Sequence, residues 1–544
     1  MFRNRSASVH SFAMVPRADV PRSSFRMQHT HKTTFDGGYL IPVYLEEVLP
    51  GDSFRMKMTA FARLATPLFP IMDNLHLESF FFFVPMRLLW SNWVKFMGEQ
   101  EDPGDSISFT IPVCSPTTGY AVGTLQDYFG LVTTPQIFAV TWSHNVLPLR
   151  AYNLIWNEWF RDENLVDSAP KNTGDGPDST SNYVLRKRMK RHDYFTSCLP
   201  WPQKGDSVPL PLGTSATVRT SSTPLVSGAQ QAMQLKESSA GGNLQTDRLL
   251  TTTNSVGANA FSTSTTAGTA LQAGAYPANL YADLSDATAA TINELRQAFQ
   301  IQRLLERDAR GGTRYTEIIR AHFGVVSPDA RLQRPEYLGG GRTPVVVTPV
   351  AQNSATAIDG SDTTLGTLAG IGTAVAHGHG FSQSFTEHGY VIGLVNVRAD
   401  LTYQQGLRKL WSRSTRYDFY FPVFAHLGEQ AVLNQEIYKT GAAADLEVFG
   451  YQERWAEYRY GQSMITGLFK STSANNIDPW HLAQEFGALP TLGETFISES
   501  PPIDRIVAVG SEANGQQFLF DAFFDCIAAR PMPMYSVPGL IDHF

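Results

Sequence analysis

Two runs of patterned hydrophobicity between Gly51 and Pro85 narrow the folds open to this chain. The stretch reads GDSFRMKMTAFARLATPLFPIMDNLHLESFFFFVP. Phe54, Met56, Met58 and Ala60 alternate with Arg55, Lys57 and Thr59, which predicts a strand with one buried and one wet face. A turn-rich break containing Pro67, Pro70, Asp73 and Asn74 follows. The second run, Leu75 to Val84, starts in alternation and becomes almost wholly apolar at Phe80 to Val84. A strand that is apolar on both faces must be covered on both, by a second layer or by a neighbouring subunit. Pro85 ends it, because proline cannot donate to a strand ladder. Two long strands this early predict a β-sandwich.

The chain has 544 residues, longer than a typical domain of about 100–200. Its charged share is 17%, low against a usual level of about 25%, and its aromatic share is 12%. With 32 prolines and 43 glycines, turns and extended connections should outnumber long helices. Low charge with many aromatics suits a protein that buries surface against other subunits. The net charge of −7 argues against a uniform nucleic-acid coat but leaves room for a local basic face. Three scattered cysteines, Cys114, Cys198 and Cys526, form no disulfide or zinc pattern and point to a reducing compartment. No apolar run reaches the roughly 18 residues needed to span a bilayer. Arg3 and Arg5 are not followed by an apolar stretch, so no signal peptide is expected.

Residues 1–50 read as a basic arm. Arg3, Arg5, Arg17, Arg22, Arg26 and Lys32 face one acid, Asp19, before Asp36, and His10, His29 and His31 add potential charge. Such an arm lies along phosphates or across a neighbour, or is simply a solvated tail. The densest positive cluster is Arg186, Lys187, Arg188, Lys190 and Arg191, with Tyr194, Phe195 and Trp201 close behind. Cations interleaved with aromatics suit single-stranded nucleic acid; a solvated charge run beside core aromatics is the plainer alternative.

A short buried helix is expected over Met86–Met97 and further helices over Pro148–Asp162, Thr291–Arg310 and Thr313–Phe323, the last two closed by glycines. Residues 206–288 are Ser, Thr, Ala, Gly, Asn and Gln with no lasting period, and cannot form a core alone. They read as a linker, or as an exposed insertion ordered against copies of itself. Gly339–Gly341 and Ala351–Gly380 are expected as loops. Strands are expected at Gly389–Val397, Tyr417–Phe424, Leu446–Tyr451 and Gln517–Ala528, with a short helix at Gln430–Tyr438. The tail Arg530–Phe544 is proline-punctuated and too apolar to float free.

Signatures of catalysis are missing. There is no P-loop, dinucleotide fingerprint, HExxH or GxSxG. His377 and His379 sit in a glycine stretch without an evident third metal ligand. Glu453 and Glu457 stand among Arg454 and Arg459, which favours salt bridges over acid–base chemistry. No catalytic residue, metal ligand or cofactor is assigned.

Several of these pieces resemble the major capsid proteins of the Microviridae, small phages with circular single-stranded DNA, and within them the gokushovirus branch. The matching residues are GDSF (Gly51–Phe54) and its strand pair, WVKFM (Trp93–Met97), AYNLIWNEWFRD (Ala151–Asp162) and KRHDYFTSCLPWPQKG (Lys190–Gly205). TEHGYVIGLVNVR (Thr386–Arg398), FGYQERWAEYRYG (Phe449–Gly461) and RPMPMYSVPGLIDHF (Arg530–Phe544) complete the set.

The resemblance implies a mainly β fold: an eight-stranded viral jelly roll with long inserted loops and short helices. It implies a T=1 icosahedral shell around the genome, located in the virion and assembled in the bacterial cytoplasm. It implies no enzymatic activity and no membrane insertion. Its implied partners are further copies of the chain, single-stranded DNA, a small basic DNA-packaging protein, an internal scaffolding protein, a minor pilot protein and a host receptor. Five segments follow: a basic arm (1–50), the first part of the jelly roll (51–205), an insertion forming three-fold surface protrusions (206–288), the second part (289–528) and an extended tail (529–544). The Gly51–Pro85 pair would be the first two core strands, with Gln517–Ala528 closing beside them. A different reading of the same β-rich composition is a carbohydrate-binding or carbohydrate-cleaving sandwich, with Trp142, Trp156 or Trp455 as sugar platforms.

Overall fold

The computed structural model describes residues 21–134, 141–205, 292–329, 331, 333–353, 366, 368–509 and 516–535, with the backbone of six short strands between 217 and 283. The chain divides into two compact units, Met1–Pro202 with Asp308–Phe544, and Gln203–Arg307.

The first unit is built on eight long strands: β1 (Ser23–Phe35), β2 (Ile41–Val48), β3 (Ser53–Leu64), β4 (Leu75–Pro85), β5 (Glu336–Ala351), β6 (Leu368–Ser384), β7 (Gly389–Ala399) and β8 (Phe518–Arg530). They pair antiparallel in the order β1-β8-β3-β6-β5-β4-β7-β2. Strand β5 joins the halves: its first part pairs with β4 and its last, Val346–Ala351, with β6. Two four-stranded sheets result, β1-β8-β3-β6 and β5-β4-β7-β2, which is the strand arrangement of a jelly roll.

Alternation sets the register of the first sheet. In β3, Phe54, Met56, Met58, Ala60, Ala62 and Leu64 are buried while Arg55, Lys57, Thr59, Phe61 and Arg63 are exposed. In β8, Phe518, Phe520, Ala522, Phe524, Cys526 and Ala528 point the same way, into the core shared with Leu77, Phe81, Val391 and Val395. Strands β4 and β7 are covered on both faces. Leu75, Leu77, Phe81 and Phe83 enter that core, while Phe82 and Val84 enter a second cluster with Trp90, Trp93, Leu147, Tyr152 and Trp156. That second cover comes from the insertion between β4 and β5. It includes helix α1 (Leu147–Ile155), whose last turn continues as a π-helix to Phe160. The double apolar face of β4 is thus masked within one chain. Helices α2 (Ile292–Gly311) and α3 (Tyr315–Phe323) stand where the 3.6 period placed them, and Gly324 closes α3 in the left-handed region at φ 68°.

Several expectations are corrected. Residues 23–35 and 41–48 of the expected arm are β1 and β2, so the Gly51–Pro85 pair supplies the third and fourth strands. Gly339–Gly341 lies inside β5, and the Leu368–Gly380 part of the expected Ala351–Gly380 loop is β6, while residues 354–365 and 367 lie outside the described residues. Glycine recurs there because neighbours approach closely: a Cβ on Gly341 would stand 2.3 Å from the His379 ring. Tyr417–Phe424 is a pair of 3₁₀ turns, since Pro422 and the Thr415–Asp418 cap favour turning and, among the described residues, no strand pairs with it. Gln430–Tyr438 is half strand: Glu429–Leu433 pairs with Val448–Glu453 before a single helical turn, Asn434–Ile437.

In the second unit, Ala258–Thr263, Arg248–Ser255, Gln234–Glu237 and Ala275–Pro277 form one small sheet, and Leu280–Asp283 pairs with Thr217–Thr220. The rest of 206–288, residues 1–20 and the last nine residues of the tail lie outside the described residues.

Candidate nucleic-acid interface

The sheet β1-β8-β3-β6 turns one face to the core and leaves the other bare among the described residues. The wet positions of β3 put Arg55, Lys57 and Arg63 on the bare face. Strand β1 adds Arg26 and Lys32, and β8 adds the only two acids of these four strands on that face, Asp521 and Asp525. Five cations therefore meet two carboxylates. Arg26 grips Asp525 with two hydrogen bonds of 3.0 Å, and Lys32 pairs with Asp521. Arg26, Gln28 and the neighbouring Lys57 together hold the Asp525 carboxyl below its ordinary range. Arg55, Lys57 and Arg63 have no ion pair among the described residues. Phe61, 46% exposed, and Phe523, 40% exposed, lie diagonally across the β3–β8 register between them. Ser53, Ser382, Gln383 and Ser384 line a shallow cavity of about 520 Å³ beside Arg55. Unpaired cations and upturned rings on one flat face offer phosphates a counter-charge and bases a stacking surface.

The residues singled out in the sequence are distributed differently. Arg3, Arg5 and Arg17 lie outside the described residues. Arg22 donates to the Ser53 hydroxyl at 2.7 Å, beside the face. His29 stacks on Tyr44 and Phe524 at 5.7 and 5.1 Å, and burial lowers its pKa and that of His31, so neither supplies the charge expected of it.

The 186–191 cluster is mostly spent inside the chain. Arg186 lies over Trp156 at 4.7 Å, and Lys187 over Tyr39 at 5.1 Å while donating to Ser500. Arg188 pairs with Glu78 and covers Phe80, and buried Lys190 sits 4.6 Å from the Phe496 ring centre. Glu78, on β4, also accepts from Arg398 of β7 at 2.9 Å. Burial opposes its charge, but Arg188 and Arg398 outweigh that and lower its pKa. A cavity of about 740 Å³ opens beside this network. Of its cations, Arg310 is tied to Glu429, and Arg314 to Glu163 and Glu317; Arg191 is exposed.

Arg55, Lys57 and Arg63 were missed as site residues, although the signal was available. Three of the five wet positions on β3 between Arg55 and Arg63 are basic, and only the partner strands reveal how few acids oppose them.

The other chemistry is accounted for. Both ring nitrogens of His379 are hydrogen-bonded, to Ser79 at 2.8 Å and Thr343 at 3.0 Å. Glu453 pairs with Arg459, as its spacing suggested, and Glu457 with the distant Arg413. Trp156 and Trp455 are buried, and Trp142 packs against Tyr120 and His144, so these three form no open sugar platform. Among the described residues no helix is long and apolar enough to cross a membrane.

The family described as capsid protein (F protein) matches residues 13–540. Over 98% of its length and 98% of the relative's, the chain is 46% identical to capsid protein VP1 of Bdellovibrio phage phiMH2K. At the same coverage it is 42% identical to capsid protein VP1 of Chlamydia phage 1 and 37% identical to that of Spiroplasma virus 4.

Proposed function

Because the chain belongs to the capsid protein (F protein) family of the Microviridae, we propose that its copies close into a T=1 icosahedral shell around a circular single-stranded DNA genome. It is a structural protein of the virion and not an enzyme. The observation that carries the assembly reading is the end-to-end family match borne on a jelly roll. Jelly-roll sheets leave their connecting loops free to meet neighbours, as a shell requires.

The bare face of β1-β8-β3-β6 lines the inside of that shell and holds DNA by Arg55, Lys57 and Arg63, with Phe61 and Phe523 as stacking surfaces. Arg3, Arg5, Arg17 and Arg22 extend the same contact, and Arg191 is a smaller separate one. The small surplus of positive charge leaves most phosphates to a separate basic packaging protein. A scaffolding protein and a pilot protein complete assembly. The insertion 206–288 forms the three-fold protrusions that meet the host receptor.

Negative-stain microscopy of the purified chain tests the shell; a protein that stays monomeric under assembly conditions sinks it. For the DNA face, Arg55→Ser, Lys57→Ser and Arg63→Ser combined should leave particles intact and reduce the DNA they hold. With single-stranded oligonucleotide, the slope of log affinity against log salt should shrink by about 2. The same change at the ion-paired Arg26 and Lys32 should do less. Unchanged DNA content and salt slope in the triple variant would reject this face.

A further inference from the structure

A stretch outside the eight strands carries much of the exposed apolar surface of the first unit. From Gly406 to Leu427 (GLRKLWSRSTRYDFYFPVFAHL) most side chains stand in solvent. Trp411 is 73% exposed, Tyr417 62%, Val423 88% and Leu427 52%. This surface is held in shape. The Leu407 amide donates to Gln435, the Lys409 ammonium to the Ala431 carbonyl, and Arg413 pairs with Glu457. The Trp455 indole N–H donates to the Phe424 carbonyl at 2.9 Å, and the Arg454 amide to Gly428.

The charge on this ribbon is one-sided. Its single acid, Asp418, is consumed by the backbone and hydroxyl of Thr415 and the amide of Ser414, which hold its carboxyl down at about 2. Arg408 and Arg416 are exposed and have no ion pair among the described residues. Elsewhere in the same unit the complementary surface exists. Residues 97–111 (MGEQEDPGDSISFTI) are nearly all exposed, with the Glu99, Glu101 and Asp102 carboxylates unpaired among the described residues. Met97 and Ile107, 48% and 49% exposed, flank these acids. Phe96 and Phe109 root the segment on Trp90.

Building on the shell reading, we propose that the Gly406–Leu427 ribbon of one copy docks on the acidic 97–111 segment of a second copy. Trp, Tyr, Phe, Met and Arg are the residues that protein–protein interfaces favour. Aliphatic Val423 and Leu427 gain from protein contact and offer nothing to a base, so a second copy fits this ribbon better than nucleic acid. The two surfaces differ, so the contact is heterologous, the kind that generates closed rings.

A charge swap tests it. Arg408→Glu with Arg416→Glu, and separately Glu101→Arg with Asp102→Arg, should each cut particle yield about tenfold, with unchanged melting temperature. Combining all four should restore assembly. Full assembly by either reversed protein, or no recovery in the combination, overturns the pairing; so does a ribbon variant that assembles normally but loses oligonucleotide affinity. A second measurement does not depend on the swap. Copies carrying Trp411→Cys, mixed with copies carrying Asp102→Cys and oxidised, should form a mixed disulfide dimer in assembled particles. The native cysteines are buried and stay out of that reaction; no mixed dimer overturns the proposal. Failure of the wild-type chain to form particles would strike the shell reading instead, so the two failures are distinguishable.

Discussion

Burial decides what individual charges do in this protein. Glu499 is 1% exposed, and burial pushes its carboxyl up to about 7, against the pull of Lys190, Arg188 and Arg398. The folded chain therefore keeps a proton that the unfolded chain, near its ordinary value of about 4.5, has already released. Stability from this residue should fall as pH rises from about 4.5 to about 7, and level off above that. Comparing Glu499→Gln with the parent by denaturant titration across that range isolates the effect: the variant should lose that part of the slope. The lysine and arginines near Glu499 show why the 186–191 run was hard to read. Local sequence reveals five cations. It does not reveal Glu78, more than a hundred residues upstream, or the rings of Tyr39, Trp156 and Phe496 that receive them.

Strands with one covered face and strands with two respond differently to the same substitution. Phe82 on β4 is 1% exposed and packs within 6 Å of Trp159, Phe160 and Tyr337. Phe82→Ala should cost about 3–5 kcal/mol by losing buried area and leaving a cavity. Phe61→Ala on the bare face of β3 should change stability by no more than about 0.5 kcal/mol. Chemical denaturation of both variants checks the contrast, and equal costs would mean that the bare face is covered. Both strands were legible because alternation and a double apolar run are local signals. Strands β5 and β6 were not, because glycine carries no hydrophobic period. Their identity comes from ladders to β4 and β3, and their glycines from how closely those neighbours approach.

At the scale of the whole molecule, the strand framework and the Gln203–Arg307 unit each make their own contacts. Replacing residues 206–288 with a short Gly-Ser linker should leave the jelly roll folded, with its far-UV circular dichroism and cooperative melting retained. Loss of cooperative melting would show that the framework needs the insertion. The low charge and high aromatic content pointed to subunit contacts; which aromatics are free to make them emerged only from packing. Trp156 and Trp455 are sealed under Arg186 and Arg454, while Trp411 and Tyr417 stand in solvent.

What the chain alone determined is the class of fold and its family. Alternation in β3 and β8, the double apolar face of β4 and the motifs from GDSF to the tail are local patterns that survive without knowing any contact. Only the tertiary structure decided which partner each surface meets. Inserted helices, not a neighbouring subunit, cover the second face of β4, and aromatic rings together with the Glu78 carboxylate occupy most of the 186–191 cluster. Arg55, Lys57 and Arg63 stay free because the strands beside them bring few acids. The physical reason is common to all three: burial and ion pairing are set by residues brought close in space across long separations in sequence.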